Sequence, residues 1–348
     1  MSKPLVLYGS YGYTGRLIAE ECRRLNLPVV LSGRNKQQLA EQSSQTGYPY
    51  EVCELHQHKA LRKLLGNAAL VIHCAGPFRH TATQMATACL DAGVHYTDIT
   101  GEYEVFEKLA QYNQPARERN VMIMPGTGFD VVPSDCLALY LKNKLPDATH
   151  LQLAFTALKG GLSRGTRKSM IEGLGYPVKI RKNGALTDIQ PGDKVMEVDF
   201  GTFRQMTLCI PWGDIATAWY STGIPNIEVY AGASANLIKW ARRMRYLNWL
   251  FRMHMIKNFL LRQADKKHNP SVDRIKEGKS YLWGRVWNEG GMSVEARLAT
   301  LNGYLLTAKT SVVIAQKILN QNFKPGFQTP AMAYGPDLIL EIKGTTRF

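Results

Sequence analysis

Cysteine is scarce in this chain, and the cysteines that occur lie singly. Six are scattered through 348 residues, and none forms a Cys-x-x-Cys pair. This spacing argues against a disulfide framework and favours free thiols in a reducing compartment. The eight histidines are equally dispersed, so no His/Cys cluster has the spacing of a zinc site, and we predict no metal.

Long hydrophobic runs are missing as well. No apolar stretch is long enough to span a bilayer, and a strand-like run begins almost at the first residue, which leaves no room for a secretory signal peptide. No internal repeat or low-complexity segment is evident. We therefore expect a globular, cytoplasmic protein, and the length of 348 residues favours about two domains.

Acidic residues are few relative to basic ones, and the net charge is +15. Residues 229–264 contain no Asp or Glu, and the cations there are Lys239, Arg242, Arg243, Arg245, Arg252, Lys257 and Arg262. Bulky apolar residues recur between them at helical spacing, at Leu237, Trp240, Met244, Leu247, Phe251, Met255 and Phe259. A basic helix with an apolar stripe is typical of an interfacial helix. Other apolar residues lie off this stripe, so two shorter helices, or one helix that is apolar on most sides, are equally compatible with the pattern.

Three interpretations of the basic segment 237–262 stay open. It is a peripheral membrane or lipid-binding surface, an interface for a protein partner, or a domain-packing helix whose basic face is in solvent. Peripheral membrane association is therefore compatible with a cytoplasmic protein, and a homodimer is also left open. No nucleic-acid-binding motif accompanies the charge, so we predict no nucleic acid partner.

The first residues combine an apolar run with closely spaced glycines. Residues 4–8 read Pro-Leu-Val-Leu-Tyr, and a helix-like stretch follows the glycines at residue 16. A strand, a glycine turn and a helix start in this order are typical of a dinucleotide site, where the helix N-terminus faces the diphosphate. We assign cofactor binding to Gly9, Ser10, Tyr11, Gly12, Tyr13, Thr14 and Gly15.

The second apolar run indicates which nicotinamide cofactor is bound. It ends at Ser32 and Gly33, and Arg34 and Asn35 follow where an NAD enzyme has its ribose-binding carboxylate. A guanidinium at this place can pair with a 2′-phosphate, so Ser32, Arg34 and Asn35 favour NADP(H). The alternative is a solvated loop cation at Arg34 and a helix N-cap at Asn35.

The order of predicted elements points to an α/β fold with a doubly wound parallel sheet of the Rossmann type. Six strand-like runs alternate with helix-like runs up to Met124. A mixed α+β part follows, whose strands we predict to be antiparallel. We expect an NADP-binding domain over 1–130, a substrate or interaction domain over 131–303, and C-terminal helices over 304–348 that return to the first domain.

Polar and glycine-rich segments follow three of the predicted strands, where an open α/β sheet binds its ligands. Ala75, Gly76, Pro77 and Phe78 follow strand four, and we add them to the cofactor site, with Gly76 allowing close backbone approach and Phe78 beside the nicotinamide. Tyr96, Asp98 and Glu102 belong to the end of strand five, and Ser134 follows strand six. A further anion site is predicted at the helix-like run that begins with Ser163, where Arg164 or Arg167 holds a carboxylate or a phosphate.

These motifs, taken together, resemble the saccharopine dehydrogenase-like oxidoreductases, and most closely the trans-acting enoyl reductase branch of that group. The motifs that carry the resemblance are Gly9-x-x-Gly12-Tyr13-Thr14-Gly15-Arg16, Ala75-Gly76-Pro77-Phe78, Tyr96-x-Asp98-x-Thr100-Gly101-Glu102 and Gly128-Phe129-Asp130-x-x-Pro133-Ser134-Asp135. The resemblance implies a nicotinamide cofactor, a second domain inserted before the C-terminal helices, and reduction of a C=N or an activated C=C bond.

We expect hydride transfer from NADPH to an enoyl carbon of an acyl or lipid-type small molecule. The candidate catalytic residues are Tyr96, Asp98, Glu102 and Ser134. Tyr96 or Ser134, or else Thr100 or Thr127, donates a hydrogen bond to the substrate carbonyl, and Asp98 or Glu102 orients a donor or a water. The alternatives are an imine reductase of amino-acid metabolism and a non-catalytic NADP-binding protein that docks on a membrane or a partner.

Overall fold

The chain forms two compact units in a computed structural model that describes residues 3–159 and 161–348. The first unit contains residues up to Val132 together with Tyr304–Gly335, and the second contains Pro133–Gly303 and Pro336–Phe348. Met1, Ser2 and Gly160, which the predicted domains include, lie outside the described residues.

The first unit alternates strands and helices. Its elements are β1 (Leu5–Tyr8), α1 (Tyr13–Arg24), β2 (Val29–Gly33), α2 (Lys36–Thr46), β3 (Tyr50–Val52), α3 (His58–Gly66), β4 (Leu70–His73), α4 (Phe78–Ala92), β5 (His95–Asp98), α5 (Tyr103–Ala110), α6 (Asn113–Glu118) and β6 (Met122–Met124). The strands pair in the order β6-β5-β4-β1-β2-β3, and all of these pairs are parallel. This is the predicted doubly wound sheet.

The sheet is buried on both faces, as the continuous apolar runs require. Every residue of β1 and of β4 is buried, and α1 contributes Ile18, Ala19 and Cys22 to the core. The helical stretch between β5 and β6 is divided into α5 and α6, because Pro115 lacks an N–H and its ring clashes with the carbonyl four residues earlier. Apart from such boundaries, the predicted elements of this unit lie where the sequence indicates.

The elements of the second unit begin with a helix at its boundary. They are α7 (Val132–Lys144), β7 (His150–Leu158), α8 (Arg164–Gly173), β8 (Val178–Lys182), β9 (Ala185–Ile189), β10 (Val195–Asp199), β11 (Arg204–Cys209), α9 (Asp214–Thr222), β12 (Asn226–Gly232), α10 (Ala235–Met244), α11 (Asn248–Arg252), α12 (His254–Asp265), α13 (Val272–Glu277), β13 (Lys279–Trp287) and β14 (Ser293–Leu301). The last helices and strands of the chain are α14 (Gly303–Leu319), β15 (Gly326–Phe327), α15 (Pro330–Tyr334) and β16 (Thr346–Arg347).

The sheet of the second unit is mixed. Its main path is β10-β11-β12-β7-β13-β14-β16, with the β8–β9 hairpin beside it. The expectation of antiparallel strands is wrong at one place, because β12 pairs parallel with β7. The chain reaches β12 from the far side through the intervening hairpins and α9, and the spacing of apolar residues along a strand contains no information on this direction.

The C-terminal residues divide between the two units, which corrects the predicted boundary. Residues 304–335 belong to the first unit, where β15 adds a seventh parallel strand beside β6. Residues 336–348 belong to the second unit, contrary to the expectation that all of 304–348 returns to the first domain. They belong there because β16 pairs with β14 and the Arg347 guanidinium lies 3.8 Å from the centre of the Tyr140 ring.

Candidate functional site

The turn after β1 requires glycine at two of its three glycine positions and is tight at the third. Gly9 has a φ of +79°, and a Cβ there would lie 2.8 Å from the Ala75 nitrogen. A Cβ on Gly15 would lie 2.5 Å from the Gly9 oxygen, and a Cβ on Gly12 would lie 3.2 Å from the same atom. At Gly9 and Gly15 the backbone therefore leaves no room for a side chain, and at Gly9 it passes directly beside the loop that follows β4.

Helix α1 begins at this turn with the features of an anion site. Its N-cap is Gly12, which offers no side-chain hydrogen bond to the first-turn N–H groups, and that turn contains no acidic residue. Arg16 lies close by, and its Nε donates to the Tyr11 oxygen at 3.0 Å, which holds the turn in place. N–H groups and a positive helix end without a competing carboxylate fit the diphosphate of a dinucleotide.

Two buried polar atoms beside the turn have no hydrogen-bond partner within the described residues. They are the Ser10 Oγ and the Gln42 Oε1, and the Gln42 Nε2 donates to the Ser10 oxygen at 3.0 Å. Sequence reasoning missed Gln42. The sequence could have indicated it, because Gln42 lies three positions after Leu39 and therefore on the same buried face of α2. A polar side chain on a buried face needs a hydrogen-bond partner.

The end of β2 carries the residues that were predicted to select the cofactor. A Cβ on Gly33 would lie 2.6 Å from Cε1 of Tyr11, so the Tyr11 ring covers this glycine. The Arg34 side chain is exposed and makes no hydrogen bond or ion pair in the part of the chain that the structure describes. An uncommitted guanidinium at this place fits a 2′-phosphate. Lys36, also exposed, adds a second cation that sequence reasoning did not name.

The side chains of Ser32 and Asn35 are used within the fold. The Ser32 Oγ donates to the Glu51 oxygen at 2.8 Å, and the Asn35 Oδ1 accepts from the Gln38 N–H as the N-cap of α2. The N-cap alternative for Asn35 is therefore what the structure shows. Contact between either residue and the cofactor stays a prediction. Because both side chains are already hydrogen-bonded, we expect their backbone atoms to make this contact.

The loop after β4 contains the remaining cofactor candidates. Ala75 meets Gly9, the Gly76–Pro77 peptide is cis, and the Phe78 ring lies edge-on to the buried His73 ring with 5.5 Å between centres. Thr81 ties this loop down, because its Oγ1 donates to the Ala75 oxygen at 2.8 Å. The structure thus brings the glycine turn and the predicted nicotinamide side of the site together in one unit.

Glu102 caps the helix that follows this loop. Its carboxylate accepts from the Phe78 N–H at 3.0 Å, from the Arg79 N–H at 2.9 Å, and from the Arg79 Nε at 3.2 Å. A carboxylate at the N-terminus of α4 stabilises the helix end. The observed role of Glu102 is to hold the loop Ala75–Phe78, and a direct role toward substrate stays a prediction.

Asp98 and Tyr96 form a buried network. The Tyr96 hydroxyl donates to the Asp98 Oδ2 at 2.6 Å, and the Asp98 Oδ1 accepts from the N–H groups of Thr100 at 3.0 Å and Gly126 at 2.8 Å. Burial raises the pKa of Asp98 to about 6, although these hydrogen bonds oppose the shift. Both side chains are buried, and the contacts that they make join β5 to the loop after β6.

Asp130 is the carboxyl in this region whose pKa is raised furthest toward neutrality. Its Oδ2 lies 2.8 Å from the position that a Cβ on Gly101 would take, so it rests against that glycine. Burial, and to a smaller extent the neighbouring Glu102, raise the pKa of Asp130 to about 7. The sequence places Asp130 in a glycine-rich loop, but only its surroundings single it out from the other acids.

Ser134 lies in the second unit, in the first turn of α7, where it is buried. Ser163, also in the second unit, is the N-cap of α8, and its hydroxyl accepts from the Thr166 N–H at 3.1 Å. The predicted anion site at this helix stays a prediction. Within the described residues, no group of three or more His, Cys, Asp or Glu side chains is arranged to hold a metal ion.

The second unit also has a cavity of about 480 Å³ on its sheet, which sequence reasoning missed. Burial opposes ionisation of Glu228 there, but hydrogen bonds from Lys194, Tyr230 and Gln152 lower its pKa below the ordinary value. The Tyr230 hydroxyl donates to the Glu228 Oε2 at 2.6 Å and the Gln152 Nε2 donates to the same atom at 3.0 Å. These residues come from β7, β12 and the turn before β10, so their proximity is a property of the folded sheet.

Comparison with known proteins identifies the first unit. Residues 5–124 match the family described as the saccharopine dehydrogenase NADP-binding domain. A saccharopine dehydrogenase-like oxidoreductase of Mus musculus is 30% identical over 212 residues, which are 54% of this chain and 49% of that protein. A Mycobacterium tuberculosis protein that carries the name of a trans-acting enoyl reductase is 30% identical over 182 residues, 48% of this chain and 43% of that protein. The chain thus spans about half the length of these curated relatives.

A solved structure agrees over nearly the whole chain. The saccharopine dehydrogenase (L-Glu forming) of Saccharomyces cerevisiae superposes with a TM-score of 0.68, covering 97% of this chain and 96% of that one at 10% identity. At this identity the likeness concerns the fold alone, and it confirms the predicted fold class. The prediction of an NADP cofactor is confirmed by the domain match. Residues 5–124 thus form a domain of the saccharopine dehydrogenase NADP-binding type, and over about half of its length the chain is similar to saccharopine dehydrogenase-like oxidoreductases.

Proposed function

We propose that this protein is an NADPH-dependent reductase that acts on an activated C=C bond of an enoyl substrate of the acyl or lipid type. The observation that carries the redox part is the site in the first unit. It combines a glycine turn with no room for a Cβ at Gly9 or Gly15, a helix start without an acidic residue, and the exposed Arg34. The resemblance of the motifs to the enoyl reductase branch, together with the name of the M. tuberculosis relative, supports the substrate class.

The residues of the first unit have separable tasks in this mechanism. The turn at Gly9–Gly15 and the start of α1 bind the diphosphate, and Arg34 binds the 2′-phosphate. Glu102 holds the loop Ala75–Phe78 in position through the N–H groups of Phe78 and Arg79. NADPH, when bound, supplies the hydride to the substrate carbon.

A proton must reach the neighbouring carbon after hydride addition, and Asp130 is our candidate donor. Its pKa of about 7 keeps a substantial protonated fraction at neutral pH. Asp98, whose oxygens accept three hydrogen bonds within the domain, is a positioning residue for the loop at Gly126. This assignment gives the two carboxyls different roles because their surroundings differ.

The test uses the purified full chain, NADPH and two substrate panels, with the loss of NADPH absorbance as the readout. One panel contains α,β-unsaturated acyl thioesters of several chain lengths, and the other contains imines formed from 2-oxo acids and amines. We expect NADPH oxidation with the thioesters, and Arg34→Asp should raise the KM for NADPH. Turnover with the imines alone would replace the proposal by the C=N alternative. Tight NADPH binding without turnover on either panel would favour the non-catalytic alternative.

A further inference from the structure

The helical segment 235–265 of the second unit leaves large apolar side chains in solvent. Its apolar residues are divided among three helices, α10, α11 and α12, where the sequence left one helix or two shorter ones open. Met255, Tyr246 and Trp249 are exposed by 76%, 72% and 64%. We use the term basic aromatic surface for the exposed side chains Trp240, Tyr246, Trp249, Met253, Met255 and Phe259 together with the cations of this segment. Exposed aromatic and Met side chains in such number mark an interaction surface.

The contacts of these helices with the rest of the unit define which side faces outward. In α10, Ile238 and Ala241 are buried against Leu208 and Ala233. Helix α12 is tied to α8, where Lys168 pairs with Asp265 at 2.6 Å and the Lys257 Nζ donates to the Glu172 oxygen at 2.9 Å. On the opposite side of α12, Met255 and Phe259 follow one another at helical spacing and remain exposed.

The charge of the surface is positive and largely uncompensated. Arg245 pairs with Asp193 at 3.1 Å, and Lys257 lies 3.9 Å from a carboxylate oxygen of Glu172. The other cations of the segment make no ion pair within residues 3–159 and 161–348, and they are Lys239, Arg242, Arg243, Arg252 and Arg262. A partner for this surface must therefore accept apolar side chains and supply negative charge together.

We propose that the basic aromatic surface docks on a bilayer surface that carries anionic phospholipids. Trp and Tyr favour the headgroup region, where the ring is in an apolar layer and the polar atom is in water. The negative surface potential of such a leaflet attracts the cations beside these rings. A second copy fits less well, because a symmetric contact would bring two uncompensated positive surfaces together. No helix within the described residues could cross the bilayer, so the contact is peripheral.

Vesicle sedimentation of the full chain tests the proposal. The vesicles contain phosphatidylcholine alone or phosphatidylcholine mixed with phosphatidylglycerol, and the bound fraction is measured at low and high salt. We expect binding to the mixed vesicles, weakening as salt rises, and little binding to the neutral ones. Quenching of tryptophan fluorescence by brominated lipid should be strong in the wild-type chain and weaker in the Trp249→Phe variant.

Matched variants distinguish an effect on the basic aromatic surface from a general effect on folding. Met255→Ser with Phe259→Ser should abolish most binding, and Arg243→Gln or Arg262→Gln should each reduce vesicle affinity about fivefold. The controls are Met292→Ser, exposed by 59% in the β13–β14 hairpin, and Lys182→Gln, an exposed cation of β8. Both controls should bind vesicles like the wild type. NADPH affinity, which reports on the first unit, and the midpoint of urea unfolding with its far-UV circular dichroism, which includes the second unit, should be the same in all of these variants, and this shows that they are folded.

Three results would overturn the docking proposal. One is equal binding to neutral and anionic vesicles, and another is undiminished binding by the Met255→Ser, Phe259→Ser double variant. The last is concentration-dependent self-association that this double variant abolishes, which would assign the surface to a second copy. Because NADPH affinity and turnover are measured separately, failure of the docking proposal and failure of the proposed reductase activity are distinguishable.

Discussion

At the scale of single residues, the candidate cofactor site depends on the absence of a side chain at Gly15 as much as on the side chains that are present. A Cβ on Gly15 would come within 2.5 Å of the Gly9 oxygen and within 2.6 Å of the Ser10 oxygen. Both neighbours are backbone atoms, so the turn can relieve the clash only by opening. The cofactor site therefore tolerates less change here than at Arg34, whose side chain is in solvent.

Gly15→Ala should abolish measurable NADPH binding and lower the free energy of unfolding by about 2 kcal/mol or more, because overpacking against backbone is poorly relieved. Calorimetric titration and urea unfolding measure the two effects. Gly66→Ala is the matched control, since a Cβ there meets nothing within 4 Å at the end of α3. If both variants bind NADPH like the wild type, the turn is not where the diphosphate binds.

Arg34→Asp should weaken NADPH binding and improve NADH binding relative to it, because a carboxylate repels the 2′-phosphate and accepts a ribose hydroxyl. A loss of about 1.5–3 kcal/mol in NADPH affinity is expected for a charge-assisted contact. Lys108→Asp, an exposed change of the same charge on α5, should leave the ratio of the two affinities unaltered. Equal losses for NADPH and NADH would remove Arg34 from the phosphate site.

The raised pKa of Asp130 predicts a pH dependence of turnover. If its protonated form donates the proton, kcat/KM should fall about tenfold per pH unit once the pH rises above about 7. Asp130→Asn should remove this decline and lower turnover, while NADPH affinity stays unchanged.

The raised pKa of Asp130 also predicts how the free energy of unfolding depends on pH, with a sign opposite to that of a carboxylate in an ion pair. The folded state favours the protonated acid, so stability is lost as pH rises from about 4 toward about 7.

At the scale of elements, α14 is joined to the loop after β6 by hydroxyl groups. The Thr310 Oγ1 donates to the Thr127 oxygen at 2.7 Å, and the Thr307 Oγ1 accepts from the Phe129 N–H at 2.9 Å. The same loop supplies the Gly126 N–H that Asp98 accepts. Helix α14 therefore supports the positions of the candidate catalytic groups in the first unit.

Gly128→Ala should loosen this contact. A Cβ on Gly128 would lie 2.8 Å from the Thr307 Cγ2, and turning Thr307 away would cost the hydrogen bond to Phe129. We expect a loss of about 1–3 kcal/mol in unfolding free energy, because overpacked cores relax only in part. Denaturant unfolding measures this, with Gly66→Ala again as control. An unchanged midpoint would mean that α14 moves freely enough to accept the extra methyl group.

At the scale of the whole molecule, we expect NADPH binding to protect the two units from hydrogen exchange to different extents. NADPH at about a hundredfold excess over its Kd should add about 2.7 kcal/mol to the stability of the state that binds it. Hydrogen exchange should therefore slow most in the first unit, at Gly9–Gly15 and Ala75–Phe78. Strands β10 and β11 of the second unit should change less. Protection confined to the second unit would contradict the assignment of the cofactor site.

Much of the first unit could be predicted because its signals are local. Apolar runs such as Leu5–Tyr8 require burial on both faces, and the glycines at positions 9, 12 and 15 serve a turn that spans only a few residues. The candidate catalytic residues could be located at strand ends but not given roles. Glu102 became a helix cap and Asp98 a loop anchor only through partners more than twenty residues away.

The sequence by itself determined the parallel sheet, the glycine turn after β1 and the cationic segment, since each depends on neighbours along the chain. Only the tertiary structure decided that β12 runs parallel to β7, that residues 336–348 leave the first unit, and that Thr307 and Thr310 contact the loop after β6. Such contacts join residues far apart in the chain. Their choice depends on which buried surfaces fit together, and no local pattern of residues records that fit.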